Sequence, residues 1–356
     1  MHEGEEHATV NHLFTPLAIG FRLGVALRHS AYRRGWFKTH HLNRPVVSVG
    51  NLTSGGAGKT PLVRFIAERL LNRGWKPGIL TRGYGRQRGT EIIALDPAAE
   101  RRADARAVGD EPALLAEALP TVPIVICANR YRAGRLAEER FNVDVHLLDD
   151  GFQHWSLARD VDVVALDVTQ EFSDWALLPA GRLREPCSAL KRAHLVVLTR
   201  TELGEAQVLQ ERVRGINPQA KTFLSTTILR GFVDAHSGRP FPVQDLRGEP
   251  LGAFCGIGNP RAFFADARRW GFHVVAELAF PDHHGYTTTD FRRLVTRARE
   301  AGAVALLTTE KDVANFPARW SSEVPVAACV VETEVGEADA FEETLLARLE
   351  AARLEK

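Results

Sequence analysis

The sequence predicts an α/β protein of the P-loop NTPase type: an α/β/α sandwich, a linker and a smaller α/β unit. Two observations carry this expectation. First, apolar runs at 46–50, 77–82, 122–128, 143–149, 161–167 and 195–199 alternate with helical patterns at 61–73, 111–119 and 131–141. Near-continuous apolar strands with intervening helices mean a parallel sheet covered on both faces. Second, the stretch Thr53, Ser54, Gly55, Gly56, Ala57, Gly58, Lys59, Thr60 stands between the first run and the first helix. Strand, glycine-rich loop and helix in that order form the context of a phosphate-binding loop.

Each element follows from the chain in order. Residues 1–12 are acidic and histidine-rich, the wrong flank for a secretory signal. Residues 13–27 are apolar but interrupted by Arg22, and shorter than the about 20 apolar residues of a spanning helix. Residues 22–44 hold six Lys or Arg and no acid, with Tyr32, Trp36 and Phe37 among them. Bases interleaved with aromatics suit a helix lying in a membrane interface, each cation contributing ~1 kcal/mol on an anionic leaflet. A helix packed on its own domain with a solvated basic face is the other reading.

In the loop, glycines let N–H groups turn around an anion, and the helix N-terminus favours negative charge. Lys59 can reach the β- and γ-phosphates, and Thr60 can ligate Mg²⁺. Thr53 stands where such loops usually start with Gly; the doubled Gly55-Gly56 supplies flexibility. Asp149 and Asp150 end the apolar run 143–148, the place of a carboxylate that holds Mg²⁺ or its water. Asp110 and Glu111 open a helix; Asp110 is either an N-cap or a base, and Glu111 a metal ligand. Arg82–Arg86 and 178–185 are Gly/Arg loops that are either plain surface or sources of cations for phosphate.

The P-loop domain is placed at 45–222. Residues 223–246 read as two linker strands with a turn, 247–335 as the smaller α/β domain, and 336–356 as a C-terminal helix with surface periodicity. Asp282-His283-His284 follows the strand 273–278, and His283 is placed to cross the cleft and assist a carboxylate base. Residues 199–202 and 308–312 follow strands but do not match the Asn-Lys-x-Asp motif that selects guanine, which favours ATP. A net charge of +1 excludes a generally basic, nucleic-acid-coating protein. The four scattered cysteines lack zinc spacing and read as free thiols, three of them in apolar strands.

The ordered set resembles the tetraacyldisaccharide 4′-kinases, the lipid A 4′-kinases of Gram-negative bacteria. It comprises Gly50–Pro61, Arg82–Gly85, Gly109–Pro112, Asp149–His154, Leu178–Gly181, Arg184-Glu185, Gly256–Gly258, Phe263-Phe264, Asp282-His283 and Thr309–Asp312. The resemblance runs from about residue 13 to 315, and Thr53 belongs to the family pattern. It implies transfer of the γ-phosphoryl of ATP to the 4′-hydroxyl of an acylated glucosamine disaccharide 1-phosphate, giving lipid IVA. It also implies two α/β/α domains joined by a two-stranded linker, and a membrane-associated N-terminal helix on the cytoplasmic face of the inner membrane. The expected partners are the lipid acceptor and the phospholipid surface, with no nucleic acid and a monomeric chain. The expected roles are ATP binding by residues 53–60, Arg82 and Arg184, and Mg²⁺ binding by Thr60, Glu111, Asp149 and Asp150. Catalysis is expected from Lys59, Asp110 and His283. A ParA/MinD-like nucleotide switch is the alternative, although those proteins carry a signature Lys where Ser54 stands.

Overall fold

The computed structural model describes residues 14–83, 91–99, 105–170, 176–317 and 319–356. Its organising feature is one mixed, mostly parallel sheet. In chain order the strands are β1 (Val46–Asn51), β2 (Pro77–Thr81), β3 (Ile93–Leu95), β4 (Ile124–Ile126), β5 (Val145–Asp149), β6 (Val161–Asp167) and β7 (Leu195–Thr199). There follow β8 (Lys221–Asp234), β9 (Pro240–Phe241), β10 (Pro250–Cys255), β11 (His273–Ala279), β12 (Ala305–Thr309) and β13 (Val326–Val335). Their spatial order is β11-β10-β12-β13-β8-β7-β6-β1-β5-β2-β4-β3, with β9 beside β8. β1 sits between β5 and β6 and is buried along its whole length, which its run of Val46, Val47 and Val49 dictates.

The helices are α1 (Thr15–Arg33), α2 (Lys59–Asn72), α3 (Ala105–Val108), α4 (Asp110–Ala118), α5 (Arg130–Phe141) and α6 (Ala206–Ile216). α7 (Pro260–Arg269), α8 (Thr288–Glu300), α9 (Glu310–Val313) and α10 (Ala338–Leu354) complete the set. Local chemistry sets their starts. Asn129 caps α5 through Arg132 N, Asn259 caps α7 through Ala262 N, and Thr287 with Asp290 forms a capping box on α8.

The two strands and turn expected in 223–246 are present as β8 and the two-residue β9, but they are very unequal in length. Residues 221–234 form one 14-residue strand of mostly β-prone residues, which continues past Gly231 with a register shift against β13. Its first residues pair parallel with β7, and the rest pair antiparallel with β13. The main antiparallel partner of β8 is thus β13, about a hundred residues later, a long-range pairing that local sequence does not encode. The expected turn is present: Asp234 accepts from Ser237 N at 2.7 Å, Gly238 has φ 68°, and β9 folds back onto Phe232 and Val233. β3 was not foreseen; it is a three-residue antiparallel edge on β4.

The C-terminal helix does not stand apart either. Phe341, Leu345 and Leu349 of α10 are buried in one core with Val47, Leu62, Ile66 and Leu147 of the P-loop half. Cys127, Cys255 and Cys329 are buried free thiols and Cys187 is half-buried, so the expectation for the cysteines holds.

α1 lies on the surface. Its His29 ring rests 4.5 Å from Trp155, while Leu17, Leu23 and Leu27 are 61%, 59% and 70% exposed. Trp36, just beyond it, is 72% exposed. Among the described residues no helix is long and apolar enough to cross a membrane.

Candidate active site

The carboxyl ends of β1, β2, β5 and β7 meet residues of the second unit around a cavity of about 730 Å³. Parallel α/β sheets place ligands at that edge. Residues 54–60, Arg82, Glu111, Asp149, Asp150, Arg184 and His283 all line it. Tyr84–Arg86, also named from the sequence, lie outside the described residues. Thr53 is not at the cavity wall. It is buried and bridges antiparallel to Leu183, so the positive-φ positions fall on Gly55 (106°) and Gly58 (76°) instead. Gly58 directly precedes α2, which points its N-terminus into the cavity.

Lys59 Nζ donates to Asn51 Oδ1 at 3.2 Å and meets Asp150 Oδ1 at 3.3 Å. Arg184 Nη1 reaches both oxygens of Asp150, at 2.9 and 2.8 Å. Burial pushes the Asp150 carboxyl up, but Lys59 and Arg184 outweigh it and hold it below the usual range. Asp149 behaves oppositely. Burial, with Glu111 and Asp150 nearby, pushes it up to about 7. Thr81 Oγ1 donates to its Oδ2 at 3.3 Å, while its Oδ1 is buried without a hydrogen-bond partner among the described residues.

That orphaned oxygen, crowded by further carboxylates, fits a divalent cation, whose charge would relieve both conditions. Among the described residues no three His, Cys, Asp or Glu close a metal cage. Mg²⁺ tolerates this, because it is usually held by one or two carboxylates plus phosphate and water.

Asp110 and His283 come from opposite halves of the chain and meet: His283 Nδ1 lies 2.8 Å from Asp110 Oδ2. Asp110 is not the N-cap of α4; Gly109 is, with φ 100°. Asp110 is buried directly behind His283, and its Oδ1 accepts from Glu111 N at 2.9 Å. Burial alone would raise its pKa, but His283, Lys311 and Asn315 together lower it. The Asp110 hydrogen bond raises that of His283 against desolvation and Lys311.

Sequence reasoning assigned no role to Lys311 or Asn315. Lys311 Nζ lies 3.3 Å from His283 Nε2 and 3.3 Å from Glu111 Oε1. An ammonium only donates, so this contact assigns a lone pair to Nε2 and places the ring proton on Nδ1, facing Asp110. Asn315 Nδ2 donates to Asp110 Oδ2 at 3.1 Å. The signal was Lys311 itself, a charged residue just after an apolar strand within Thr309–Asp312. Arg130 was also missed. It is buried, donates to Cys127 O at 3.1 Å, and burial lowers its pKa to about 10.

A parallel sheet, a glycine loop opening a helix and acids at the neighbouring strand ends define a P-loop nucleotide-binding protein built for phosphoryl chemistry. Similarity to known proteins narrows this class. The profile of the tetraacyldisaccharide-1-P 4′-kinase family matches residues 10–350, and the chain belongs to that family. It is 41% identical over 320 residues to the tetraacyldisaccharide 4′-kinase of Geobacter metallireducens, covering 90% of this chain and 93% of the relative. It is 39% identical to that of Koribacter versatilis, covering 91% and 95%. A crystal structure of LpxK from Aquifex aeolicus in complex with ATP superimposes with a TM-score of 0.74 at 28% identity, over 95% of this chain and 99% of that one.

Proposed function

We propose that this protein transfers the γ-phosphoryl group of ATP to the 4′-hydroxyl of tetraacyldisaccharide 1-phosphate, yielding lipid IVA for lipid A synthesis. Family membership supports the reaction, and the observation that carries the site is the Asp110–His283 contact beside the P-loop cavity. Residues 54–60 and Lys59 hold the triphosphate. Thr60, Glu111 and Asp149 hold Mg²⁺, which when bound offsets phosphate charge. Asp150 fixes Lys59 and Arg184 in register with the phosphates, and Arg82 adds charge at the cavity mouth.

The 4′-hydroxyl oxygen attacks the γ-phosphorus while the bond to the β-γ bridging oxygen breaks. The hydroxyl proton passes to the Asp110–His283 pair, which titrates as a unit. A loose phosphoryl transition state needs positioning more than a strong base, so a depressed Asp110 pKa is compatible with the role.

The acyl chains of the acceptor lie in a bilayer, so the enzyme must work at its surface. The exposed Leu17, Leu23, Leu27 and Trp36 support interfacial docking of α1 on the cytoplasmic face of the inner membrane. Burial, Arg130, Arg159, Arg28 and Arg82 push the His154 pKa down to about 4.

The test is transfer from γ-labelled ATP to tetraacyldisaccharide 1-phosphate in mixed micelles, with Asp110→Ala and His283→Ala beside the wild type. Labelled lipid with wild type, collapsing in both variants, supports the reading. Free phosphate without labelled lipid points to a nucleotide switch instead.

A further inference from the structure

An anion-binding loop works only if its N–H groups face the ligand, which requires its carbonyls to face away. Here side chains behind the loop hold those carbonyls. Arg182 Nε donates to Ser54 O at 3.2 Å, Arg200 Nη1 to Gly56 O at 2.8 Å, and Thr199 Oγ1 to Ala57 O at 3.2 Å. Both arginines are in turn tied to one turn of the second unit. Arg182 Nη2 donates to Gly258 O at 3.2 Å. Arg200 is paired with Asp167, whose buried Oδ2 also accepts from Asn259 Nδ2 at 3.0 Å. Asp167 Oδ1 is satisfied by Thr169 N and Oγ1 at 2.9 and 2.6 Å, so the network is closed. The turn sits directly on the loop: a Cβ on Gly258 would come 2.2 Å from Gly56 N. Arg200 itself has φ 59°, a conformation uncommon outside glycine.

We infer that Arg182, Arg200 and Asn259 are positioning residues for the nucleotide: through them the Gly258-Asn259 turn of the second unit holds the Ser54 and Gly56 carbonyls outward, so that the loop amides not used inside the protein, as Ser54 N is on Arg182 O and Ala57 N on Gly55 O, serve the triphosphate. This rests on the P-loop reading and extends it, because it makes the second unit part of the nucleotide site. Asn259 is informative because its two functions separate. Its Oδ1 caps α7, and its Nδ2 makes the tie to Asp167. Serine can keep the cap but is too short for the tie.

The experiment measures binding of a non-hydrolysable ATP analogue with Mg²⁺ by calorimetry, then kcat and both KM values, on full-length Asn259→Ser, Gly258→Ala, Arg200→Ala and Arg200→Lys. Melting curves check folding. Losing the polar tie in Asn259→Ser, and pushing the turn off the loop with a Cβ in Gly258→Ala, should each weaken analogue binding and raise the KM for ATP about tenfold. Lipid KM and kcat should stay within about twofold, and Arg200→Lys should recover part of what Arg200→Ala loses. Unchanged or tighter analogue binding in folded Asn259→Ser and Gly258→Ala, or a fall in kcat with ATP KM unmoved, overturns the inference. The analogue is read without lipid, so a wild type that binds it but phosphorylates no lipid overturns the kinase reading and leaves this one standing.

Discussion

Replacing Asp110 by Asn keeps the shape of the side chain and removes its charge. Asp110 Oδ2 accepts from His283 Nδ1 at 2.8 Å and from Asn315 Nδ2 at 3.1 Å, while Oδ1 accepts from Glu111 N at 2.9 Å. Asparagine has one oxygen, so its amide nitrogen must face one of these donors. At least one hydrogen bond to a formerly charged acceptor is lost, about 1.5–3 kcal/mol of stability. The kinetic cost is larger. Removing a general base lowers kcat by about 10²–10⁴, or ~3–5 kcal/mol of barrier. Because the base acts on the transition state, both KM values should change by less than about threefold. Asn315→Ala is the comparison, since it deletes one of the same hydrogen bonds and leaves the carboxylate. Initial rates of label transfer and thermal unfolding are measured on both variants. A kcat for Asp110→Asn within about threefold of wild type, or a drop no larger than that of Asn315→Ala, would refute a base role for the pair.

Three further outcomes are expected. The ion pair makes stability pH-dependent: His283 is raised above its usual 6.5, so its contribution is full below 6.5 and lost as pH rises through the folded value. Asp110 is lowered from 3.8, so its contribution is present above 3.8 and lost on acidification through its own folded value. The melting-temperature gap between wild type and His283→Ala should therefore peak between those limits and narrow toward alkaline pH; a gap flat with pH would argue against the pair. Phe341→Ala should cost about 3–5 kcal/mol in denaturant unfolding, because the ring is fully buried with Phe223 5.2 Å and Phe65 5.6 Å away. Leu23→Glu with Leu27→Glu should reduce co-sedimentation with anionic vesicles while ATP-analogue affinity stays unchanged. Equal sedimentation would exclude α1 as the docking element.

The parts of this molecule legible in its sequence are those that local pattern encodes. Val46 to Asn51 and Val161 to Asp167 read as buried strands because every residue faces packing, and Gly58-Lys59-Thr60 marks the start of α2 because only glycine suits the turn before it. The Asp110–His283 contact was foreseen from chemistry and family resemblance, although 173 residues separate the partners. What escaped depends on pairing at a distance. The antiparallel partner of β8 lies in 326–335, and no turn signal announces it. Lys311 stood within 308–312 without a role until the fold set it against Glu111 and His283. Arg182 and Arg200 lay within segments already singled out, 178–185 and 199–202, but nothing local tells that they reach the Ser54 and Gly56 carbonyls.

The placement of α10 bears on how the chain is made. Synthesis runs from the N-terminus, and domains generally fold in that order as they emerge. The P-loop half cannot follow this course to the end, because part of its core, Phe341, Leu345 and Leu349, is translated after the whole second unit. Val47, Ile66 and Leu147 must wait, incompletely covered, while nearly two hundred residues are added. The second unit can close its own core in the meantime, so the part encoded first is the part finished last. The nascent P-loop half should therefore be the segment that most needs protection from aggregation during translation.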